Sequence, residues 1–290
     1  MSRKSTIHFL VSFAIVIGLL FSVLLSMLAS APVRATDVGG QITSDTTWTK
    51  ANSPYIVTSS VLVNEGVTLT VEPGVTVKFE ALKGMLIDGQ LVARGTASES
   101  ITFTSSQTTP AKGDWVNIVF SEKSVDTNLD QGGGYLSGSI LEYCTVEYGG
   151  ASDQAALQFL SGTGTRVIEH CVIRNNASTG LRSQSTTLHV TSCTVSGNFA
   201  GGIYASDGQS TISGCTISGN SASYGGGIRG TGGPFTISGC TISTNSAYSG
   251  GGIDADGGPF VISDCTISGN SASYGGGIRG TGGPFTISGC

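Results

Sequence analysis

Residues Thr211–Phe235 read TISGCTISGNSASYGGGIRGTGGPF, and this 25-residue unit returns along the chain. Val261–Phe285 matches it at 23 of 25 positions, Thr236–Phe260 is a variant of it, and Thr286–Cys290 begins it once more. Repeats of about 20–50 residues are typical of solenoids, in which each unit buries its apolar side only against its neighbours. The repeat therefore predicts a stack of coils.

The cysteines extend this register towards the N-terminus. They are spaced 27, 22, 22, 25, 25 and 25 residues apart, so we expect coils of 22–27 residues. An aliphatic residue lies three positions before each cysteine, and another lies two positions after every cysteine except the last. A third aliphatic column lies further on in each coil, at Leu157, Leu181, Ile203, Ile228, Ile253 and Ile278. These columns predict three ladders that face a common interior.

The units read as strands and not as helices. Phe235, Thr236 and Ile237 alternate between apolar and polar, which is the period of a β-strand. Glycine within a helix would cost about 1 kcal/mol per residue relative to alanine. We predict three short strands per coil: one before the cysteine, one through it and one around GGGI. Stacking at about 4.8 Å per coil then gives an all-β, single-stranded parallel β-helix.

The bends between strands carry their own repeated residues. Asparagine lies five residues after five of the cysteines, and we expect it to adopt the left-handed backbone conformation there. Its amide is also expected to pair with the asparagines above and below. Glycine triplets such as Gly225–Gly227 are expected at bends that need positive φ. The asparagines are Asn176, Asn198, Asn220, Asn245 and Asn270.

Seven cysteines in one column do not suit disulfide bonds. Neighbouring coils would place their Cβ vectors parallel, which is far from the preferred disulfide torsion of about 90°. We predict no disulfide, and interpret the thiols as small buried hydrophobic groups.

The repeat resembles the right-handed parallel β-helix repeats of pectin-lyase-like proteins. Its core from Asn220 to Ile228 is also similar to the repeat of polymorphic outer-membrane proteins. Upstream, Trp48, the stretch GVTLTVEPGVTVKF at Gly66–Phe79, and the segments at Ile101 and Trp115 resemble the opening coils of bacterial β-helix proteins. The resemblance covers about residues 37–290 and implies a right-handed coil. It leaves activity open, because this fold carries lyases, hydrolases and adhesins alike.

The N-terminal segment predicts export. Arg3 and Lys4 precede Phe9–Leu28, a 20-residue run without a charge, and a cleavage site follows at Ala35. We predict a signal peptide over residues 1–35, although a run of this length could also remain as an uncleaved membrane anchor. Residues 36–136 are then an N-terminal cap with degenerate coils, and residues 137–290 are regular repeats that stop in mid-coil. We expect a secreted or cell-surface protein whose chain continues beyond this sequence.

Charge excludes one class of partner. Removing residues 1–35 takes away three of the 14 basic residues and none of the 19 acidic ones, which leaves 11 against 19. Nucleic acid requires clustered lysine and arginine, so we expect no nucleic-acid partner. We also expect no membrane contact beyond the signal segment.

One outward column carries charged candidates. Arg229, Asp254 and Arg279 follow the third aliphatic position in successive coils, and Asp256 lies two residues after Asp254. They could form a uronate or calcium site, because arginine pairs well with carboxylates. The alternative is an ion ladder on a solvated sheet, and such exposed pairs contribute only about 0–1 kcal/mol.

Two further groups are candidates for ligand binding. Tyr224, Tyr248 and Tyr274 could form a strip for sugar stacking, or they could cover the bend glycines. The oxygens of Asp126, Asn128 and Asp130 alternate as in a calcium loop. The following glycine is one place late and no glutamate occupies the twelfth position, so a polar connecting loop is the alternative. Calcium is therefore the one candidate cofactor.

The sequence favours a scaffold over an enzyme. Near-identical repeats do not build the unique cluster and shaped pocket that catalysis needs. Polygalacturonase-like relatives use paired aspartates, and no Asp-Asp pair occurs here. We predict a non-catalytic, adhesin-like protein that contacts extracellular polysaccharide or cell-surface components. The alternative is a polysaccharide lyase or hydrolase of the pectin-lyase-like fold.

Overall fold

The computed structural model describes residues 35–162 and 164–290. The predicted signal segment therefore lies outside the described residues, apart from Ala35. Residues Ala35–Cys290 form one compact unit. Within this unit, no helix is both long enough and apolar enough to cross a bilayer.

The described residues form the predicted right-handed parallel β-helix, whose coils contribute strands to three long sheets. We call them the first, second and third sheets in the order in which the chain passes through them. The first sheet is formed by the strands that precede the cysteines and by the equivalent strands of the upstream coils. It contains Thr46–Trp48, Thr68–Val71, Gln90–Arg94, Ile140–Glu142, Thr165–Glu169, Thr187–Thr191, Ser210–Ser213, Phe235–Ser238, Phe260–Ser263 and Phe285–Ser288.

The second and third sheets share their first two strands, Thr36–Ile42 and Tyr55–Val63, which run through both. The second sheet continues with Thr76–Phe79, Ile101–Ser105, Cys144–Glu147, Val172–Arg174, Thr194–Ser196, Thr216–Ser218, Thr241–Ser243 and Thr266–Ser268. The third sheet continues with Met85–Ile87, Ile118–Phe120, Leu157–Phe159, Leu181–Gln184, Ile203–Ser206, Ile228–Thr231, Ile253–Asp256 and Ile278–Thr281.

One upstream coil is much longer than the repeat. Val92 pairs directly with Ile140, so this coil contains 48 residues. Much of the extra length lies between Phe120 and Ile140, where Asn128–Leu129 and Tyr135–Ser137 form an antiparallel hairpin. Two short 3-10 helices lie at Lys50–Asn52 and Ala151–Asp153.

The last three coils contain a fourth strand that the sequence reading did not predict. Ser221–Tyr224, Ser246–Ser249 and Ser271–Tyr274 pair in parallel as a separate small sheet between the second and third sheets. The segment Ser221–Tyr224, which is not one of the three strands predicted for its coil, is therefore extended. Tyrosine is common in half-exposed strands, and each of these strands pairs with its equivalent in a neighbouring coil.

The predicted apolar ladders form the core. Ile212, Ile237 and Ile262 are fully buried on the first sheet, as are Ile217 and Ile242 on the second. Burying one such side chain contributes about 1.5–3 kcal/mol. Aromatic rings stack in the same interior, with Phe235 and Phe260 4.6 Å apart and Phe79 4.2 Å from Trp115. The core is thus a column that each coil extends up to the last, where the predicted ladder residue Ile287 is 51 % exposed because no further described coil covers it.

The cysteine column forms a continuous ladder within this core. Six of the thiols are buried, Cys290 is exposed, and all seven are free. The backbone amide of Cys215 lies 3.4 Å from the Sγ of Cys240, and this contact repeats along the column. The Sγ of Cys240 in turn lies 3.3 Å from the carbonyl oxygen of Ser238. Six of the seven thiols are small buried groups as predicted, and the column also supplies sulfur acceptors to backbone amides.

The asparagine column forms the predicted amide ladder. The Nδ2 of Asn198 donates to the Oδ1 of Asn220 at 2.9 Å, and the Asn198 backbone amide donates to the same oxygen at 3.0 Å. The Nδ2 of Asn220 also donates to the carbonyl oxygen of Val195 at 3.0 Å. Asn220 is 1 % exposed. The same Nδ2 donates to the Oδ1 of Asn245 at 3.0 Å, so the amide fills all four of its hydrogen-bonding positions inside the protein.

The predicted left-handed backbone at these asparagines is wrong. Positive φ occurs one residue earlier, at Asn175, Gly197, Gly219, Thr244 and Gly269, with φ between 55° and 65°. The residue before each cysteine is left-handed as well. Each bend is made by the preceding residue, which leaves the asparagine side chain free to point inwards.

The glycine triplets have two separate roles. Gly225 has a φ of 58°, which glycine adopts without strain. Gly227 does not have positive φ, but a Cβ atom there would lie 2.6 Å from the carbonyl oxygen of Gly252 in the next coil. Only the first glycine fulfils the predicted conformational role, and Gly227 permits close stacking.

Replacing one rung of the asparagine ladder should destabilise the protein strongly. Asn220→Ala removes the acceptor of two donors on Asn198 and leaves them without a partner. A buried donor without a partner costs about 1–3 kcal/mol, so we expect a loss of at least about 2 kcal/mol in urea unfolding. Ser223→Ala, at an exposed position of the same coil, should change stability by less than about 0.5 kcal/mol. Equal losses of unfolding free energy for the two variants would contradict a stabilising role for the asparagine ladder.

Stability should also fall at alkaline pH. The hydrogen bond with Cys193 raises the pKa of Cys215 from 9.0 to about 12, and burial raises that of Cys265 from 9.0 to about 11. Because the folded pKa is the higher one, this stabilisation is complete below pH 9 and is lost as pH rises towards the folded values. Each thiol should lower the free energy of unfolding by up to about 1.4 kcal/mol per pH unit there.

The measurement is urea unfolding between about pH 8 and pH 11, on either side of the ordinary thiol pKa. Cys215→Ala removes one of the titrating groups, so its stability should fall less steeply than that of the parent. Identical slopes for the parent and Cys215→Ala would contradict the assignment.

Candidate functional site

The third sheet brings the predicted charged residues together. Strand pairing aligns Tyr204 with Arg229, Arg229 with Asp254, and Asp254 with Arg279. The alignment extends upstream without a break. We call this row the arginine column: Gln158, Arg182, Tyr204, Arg229, Asp254 and Arg279.

Asp254 is the buried centre of this column. It is 1 % exposed, although it lies on the outward side of its strand. Nη1 of Arg279 donates to its Oδ1 at 2.8 Å, and Nε of Arg229 lies 4.0 Å from its Oδ2. The hydrogen bond with Asp254 and its charge raise the pKa of Arg279. This arrangement is a cross-coil ion ladder, but it differs from the solvated one expected from the sequence. The Asp254 carboxylate, which lies near both arginines, is buried away from water.

Asp256 lies apart from this pair. It is exposed, and its Oδ1 accepts a hydrogen bond from the Thr281 hydroxyl at 2.9 Å. Across residues 35–162 and 164–290, no group of three or more histidine, cysteine, aspartate or glutamate side chains is arranged to hold a metal ion.

Arg229 lies between two tyrosine rings. Its guanidinium carbon is 5.0 Å from the ring centre of Tyr204 and 5.0 Å from that of Tyr224. Arg182 approaches Tyr204 at 5.4 Å. Contacts of this kind contribute about 0.5–1 kcal/mol at exposed sites. The buried Nε atoms of Arg182 and Arg229 have no hydrogen-bond partner among the described residues.

A groove opens beside this guanidinium. It has a volume of about 170 Å³, and Tyr204, Ala222, Tyr224 and Arg229 line it together with backbone at Gly201 and Gly225. Tyr204 and Arg229 come from the third sheet, and Tyr224 comes from the fourth strand of its coil. The fourth strand, absent from the sequence prediction, therefore supplies one wall.

The three predicted tyrosines are exposed but do not form one column. Tyr224 and Tyr274 both align with Ser249, and Tyr248 lies one position earlier. The ring of Tyr248 still meets that of Tyr274 edge-on, with centres 5.3 Å apart. The exposed fractions are 44 % for Tyr224, 56 % for Tyr248 and 59 % for Tyr274.

The sequence reading missed one aromatic residue. Phe199 is 68 % exposed and follows Asn198 directly, as Ser221 follows Asn220 in the next coil. The two residues make equivalent backbone contacts with the preceding coil. The Phe199 amide donates to the Asn176 carbonyl oxygen, and the Ser221 amide donates to the Asn198 carbonyl oxygen. Its place in the repeat could have revealed it. We call these four exposed rings the aromatic strip: Phe199, Tyr224, Tyr248 and Tyr274.

The predicted calcium loop has other partners. Asp126 forms an ion pair with Arg166 at 2.8 Å, and Asp130 accepts hydrogen bonds from the amides of Gly132 and Gly134, both at 2.8 Å. Asn128 lies in the hairpin strand. These contacts fit the connecting-loop alternative, and a calcium site here stays a prediction.

Arg166 is a second residue that sequence reasoning missed. Its side chain is 1 % exposed, and it donates to the carbonyl oxygens of Ser124 and Val125. Burial lowers its pKa, and the charge of Asp126 opposes that shift. Arg166 therefore holds the start of the insertion between Phe120 and Ile140 against the stacked coils.

Comparisons with known proteins identify two matching family models. The pectate-lyase-like β-helix domain matches residues 40–185, just over half of the chain, and the right-handed β-helix region matches residues 182–290.

Two individual proteins are similar over different extents. Protein bark beetle of Drosophila melanogaster is 41 % identical over 71 residues, which are 24 % of this chain and 2 % of that protein. Endopolygalacturonase I from Stereum purpureum, solved in complex with two galacturonates, is 12 % identical, with 80 % of this chain and 92 % of that one covered at a TM-score of 0.23. At that TM-score, the likeness says nothing about the function of this chain.

Breaking the pair at Asp254 should cost more than breaking an ordinary outward pair. Arg279→Ala leaves a buried carboxylate without its hydrogen bond, and we expect a loss of about 1–3 kcal/mol in urea unfolding. Arg174→Ala is the matched control, since Arg174 pairs with the more accessible Glu147 at 2.8 Å. That change should cost less than about 1 kcal/mol. Adding Asp254→Asn to Arg279→Ala should recover part of the loss, and no recovery would contradict a buried charge.

Proposed function

The chain belongs to the pectate-lyase-like β-helix family, and from that premise we propose that it is a non-catalytic, extracellular scaffold that contacts glycans through the aromatic strip. The observation that carries the proposal is the strip itself, in which four exposed rings lie on the same corner of successive coils. Aromatic rings with one wet face are suited to stack on the apolar faces of sugars. Large apolar side chains grouped on a surface commonly mark an interaction site.

The charged candidates support binding over chemistry. A general base must reach the proton that it removes, and Asp254 is buried and bonded to Arg279. Asp256 is exposed but has a threonine hydroxyl as its partner. Such an arrangement suits a structural role for the carboxylates and leaves the rings and Arg229 as the groups that a ligand would meet.

The extracellular location belongs to the same proposal. It rests on the uncharged run Phe9–Leu28 with the basic residues before it and the small residues after it. An outward surface rich in serine and threonine, with few charges, is compatible with it. An adhesin-like role follows if the glycan belongs to a cell surface.

Tyr248→Ala should weaken glycan binding without any turnover of the glycan. Loss of one stacked ring removes about 0.5–1.5 kcal/mol, so the Kd should rise about threefold to tenfold. Leu136→Ala, at a 59 % exposed position of the hairpin, should leave the Kd unchanged. The measurement is binding to a glycan array, followed by titration of the best ligand.

The same samples distinguish the scaffold from an enzyme. Incubation with pectin and alginate, with and without calcium, should release neither unsaturated uronates nor new reducing ends. Calcium-dependent release that Arg279→Ala abolishes would overturn the scaffold proposal in favour of a polysaccharide lyase.

A further inference from the structure

The small sheet at the corner between the second and third sheets has an open edge. We call it the corner sheet, and its strands are Ser221–Tyr224, Ser246–Ser249 and Ser271–Tyr274. Ser221–Tyr224 is the end strand, and nothing in the described part of the chain pairs with it as a strand on its upstream side. The edge of an end strand presents backbone donors and acceptors that a further strand can meet.

A change in coil length creates this edge. Four residues separate Asn198 from Ile203, which span the corner upstream of the sheet. One coil later, seven residues separate Asn220 from Ile228. The longer corner has room for a strand and the shorter one has not. The Ser221 amide still donates to the carbonyl oxygen of Asn198 at 3.0 Å. The strand therefore starts against the stacked coils and continues without a strand beside it.

The groove of about 170 Å³ lies along this open edge. Ala222, Ser223 and Tyr224 line it from the strand, and Ala200 and Gly201 line it from the upstream corner. A Cβ atom on Gly201 would lie 3.5 Å from that of Ala222, so the missing side chain helps to keep the groove open. Its volume is below the roughly 300–1,000 Å³ of pockets that enclose drug-sized ligands. An extended main chain with short side chains fits such a space.

The corner sheet itself shows which sequence pairs with an edge of this kind. Ser271–Tyr274 has the sequence SASY, which is identical to that of Ser221–Tyr224. Its upstream neighbour is Ser246–Ser249, with the sequence SAYS, and the two strands pair in parallel and in register. The upstream edge of an SASY strand therefore accepts a strand of serine, alanine and one aromatic residue.

We propose that the upstream edge of Ser221–Tyr224 binds an extended segment of a partner polypeptide, which adds a strand to the corner sheet and lies in the groove. The segment has the chemistry of Ser246–Ser249: small uncharged residues and one aromatic residue. In strand addition, main-chain hydrogen bonds supply affinity and the fit of alternate side chains supplies selectivity. The inference goes beyond the proposed function, because its ligand is a polypeptide and it does not require glycan binding.

The probe is the peptide of residues 245–250, NSAYSG, with both ends blocked and a fluorescent label. Fluorescence anisotropy with the full chain should show saturable binding. The Ala247→Pro analogue of the peptide lacks one N–H donor and has its φ fixed by the ring. Loss of one main-chain hydrogen bond should raise the Kd about twofold to tenfold. Equal binding of the two peptides, or no saturable binding of either, would overturn the inference.

Ala200→Tyr tests the place of binding. Ala200 is exposed and lines the groove, so a tyrosine ring there should occupy the space of the added strand and abolish saturable binding of NSAYSG. Ala97→Tyr is the matched control, because Ala97 is exposed at the corner between the first and second sheets. It should keep the Kd of the parent. The same effect of both substitutions would overturn the inference. If Ala200→Tyr fails to fold, the comparison of the two peptides on the parent decides.

The outcomes also separate this inference from the proposed function. Binding of NSAYSG without any binding on the glycan array would overturn the glycan proposal and support the strand site. Glycan binding without peptide binding would do the reverse. Self-association of the parent that Ala200→Tyr abolishes, without binding of NSAYSG, would overturn the inference in favour of a second copy of this chain as the occupant.

Discussion

Parallel stacking requires each coil to satisfy the polar groups that its neighbour presents along the axis. The asparagine ladder meets this requirement, because the amides of Asn198, Asn220 and Asn245 each accept two hydrogen bonds from one adjacent coil and donate to groups in both directions. The cysteine ladder provides a further row of contacts between coils. A buried donor without a partner costs about 1–3 kcal/mol, so a shift of one residue in register would disrupt every rung together. The long regular sheets depend on this constraint.

The features that depend only on the period could be predicted from the sequence. The burial of Cys215, the apolar ladder through Ile237 and the stacking of Asn220 all follow from a position that recurs in each coil. The geometry of the corners could not be predicted in this way. Left-handed backbone falls on the residue before Asn220, and the NSASY segment forms a strand, because local turn conformation and pairing with the neighbouring coil decide these points. Membership of the arginine column was likewise predictable, whereas the burial of Asp254 depends on how neighbouring side chains cover it.

The candidate site lies where the repeat varies. Inward positions hold isoleucine, cysteine and asparagine in coil after coil, since close packing permits little else. The outward position of the arginine column instead changes from Tyr204 to Arg229, Asp254 and Arg279. Phe199 similarly replaces the serine found at the same place in the next coils. A solenoid thus separates two tasks: a constant interior specifies the fold, and a variable outer row combines different rings and charges from coil to coil.

Asp254 connects the stability of this row to the environment of Arg229. A buried carboxylate needs a partner, and Arg279 provides it with a short hydrogen bond. Because the carboxylate is already bonded to Arg279, it neutralises less of the positive charge of Arg229, whose Nε lies 4.0 Å away. The two tyrosine rings can attract the Arg229 guanidinium through their faces, but they carry no net charge and accept none of its in-plane hydrogen bonds. The arrangement that buries Asp254 against Arg279 therefore leaves the buried Nε of Arg229 without a hydrogen-bond partner among the described residues, while the guanidinium stays between two tyrosine rings beside the groove.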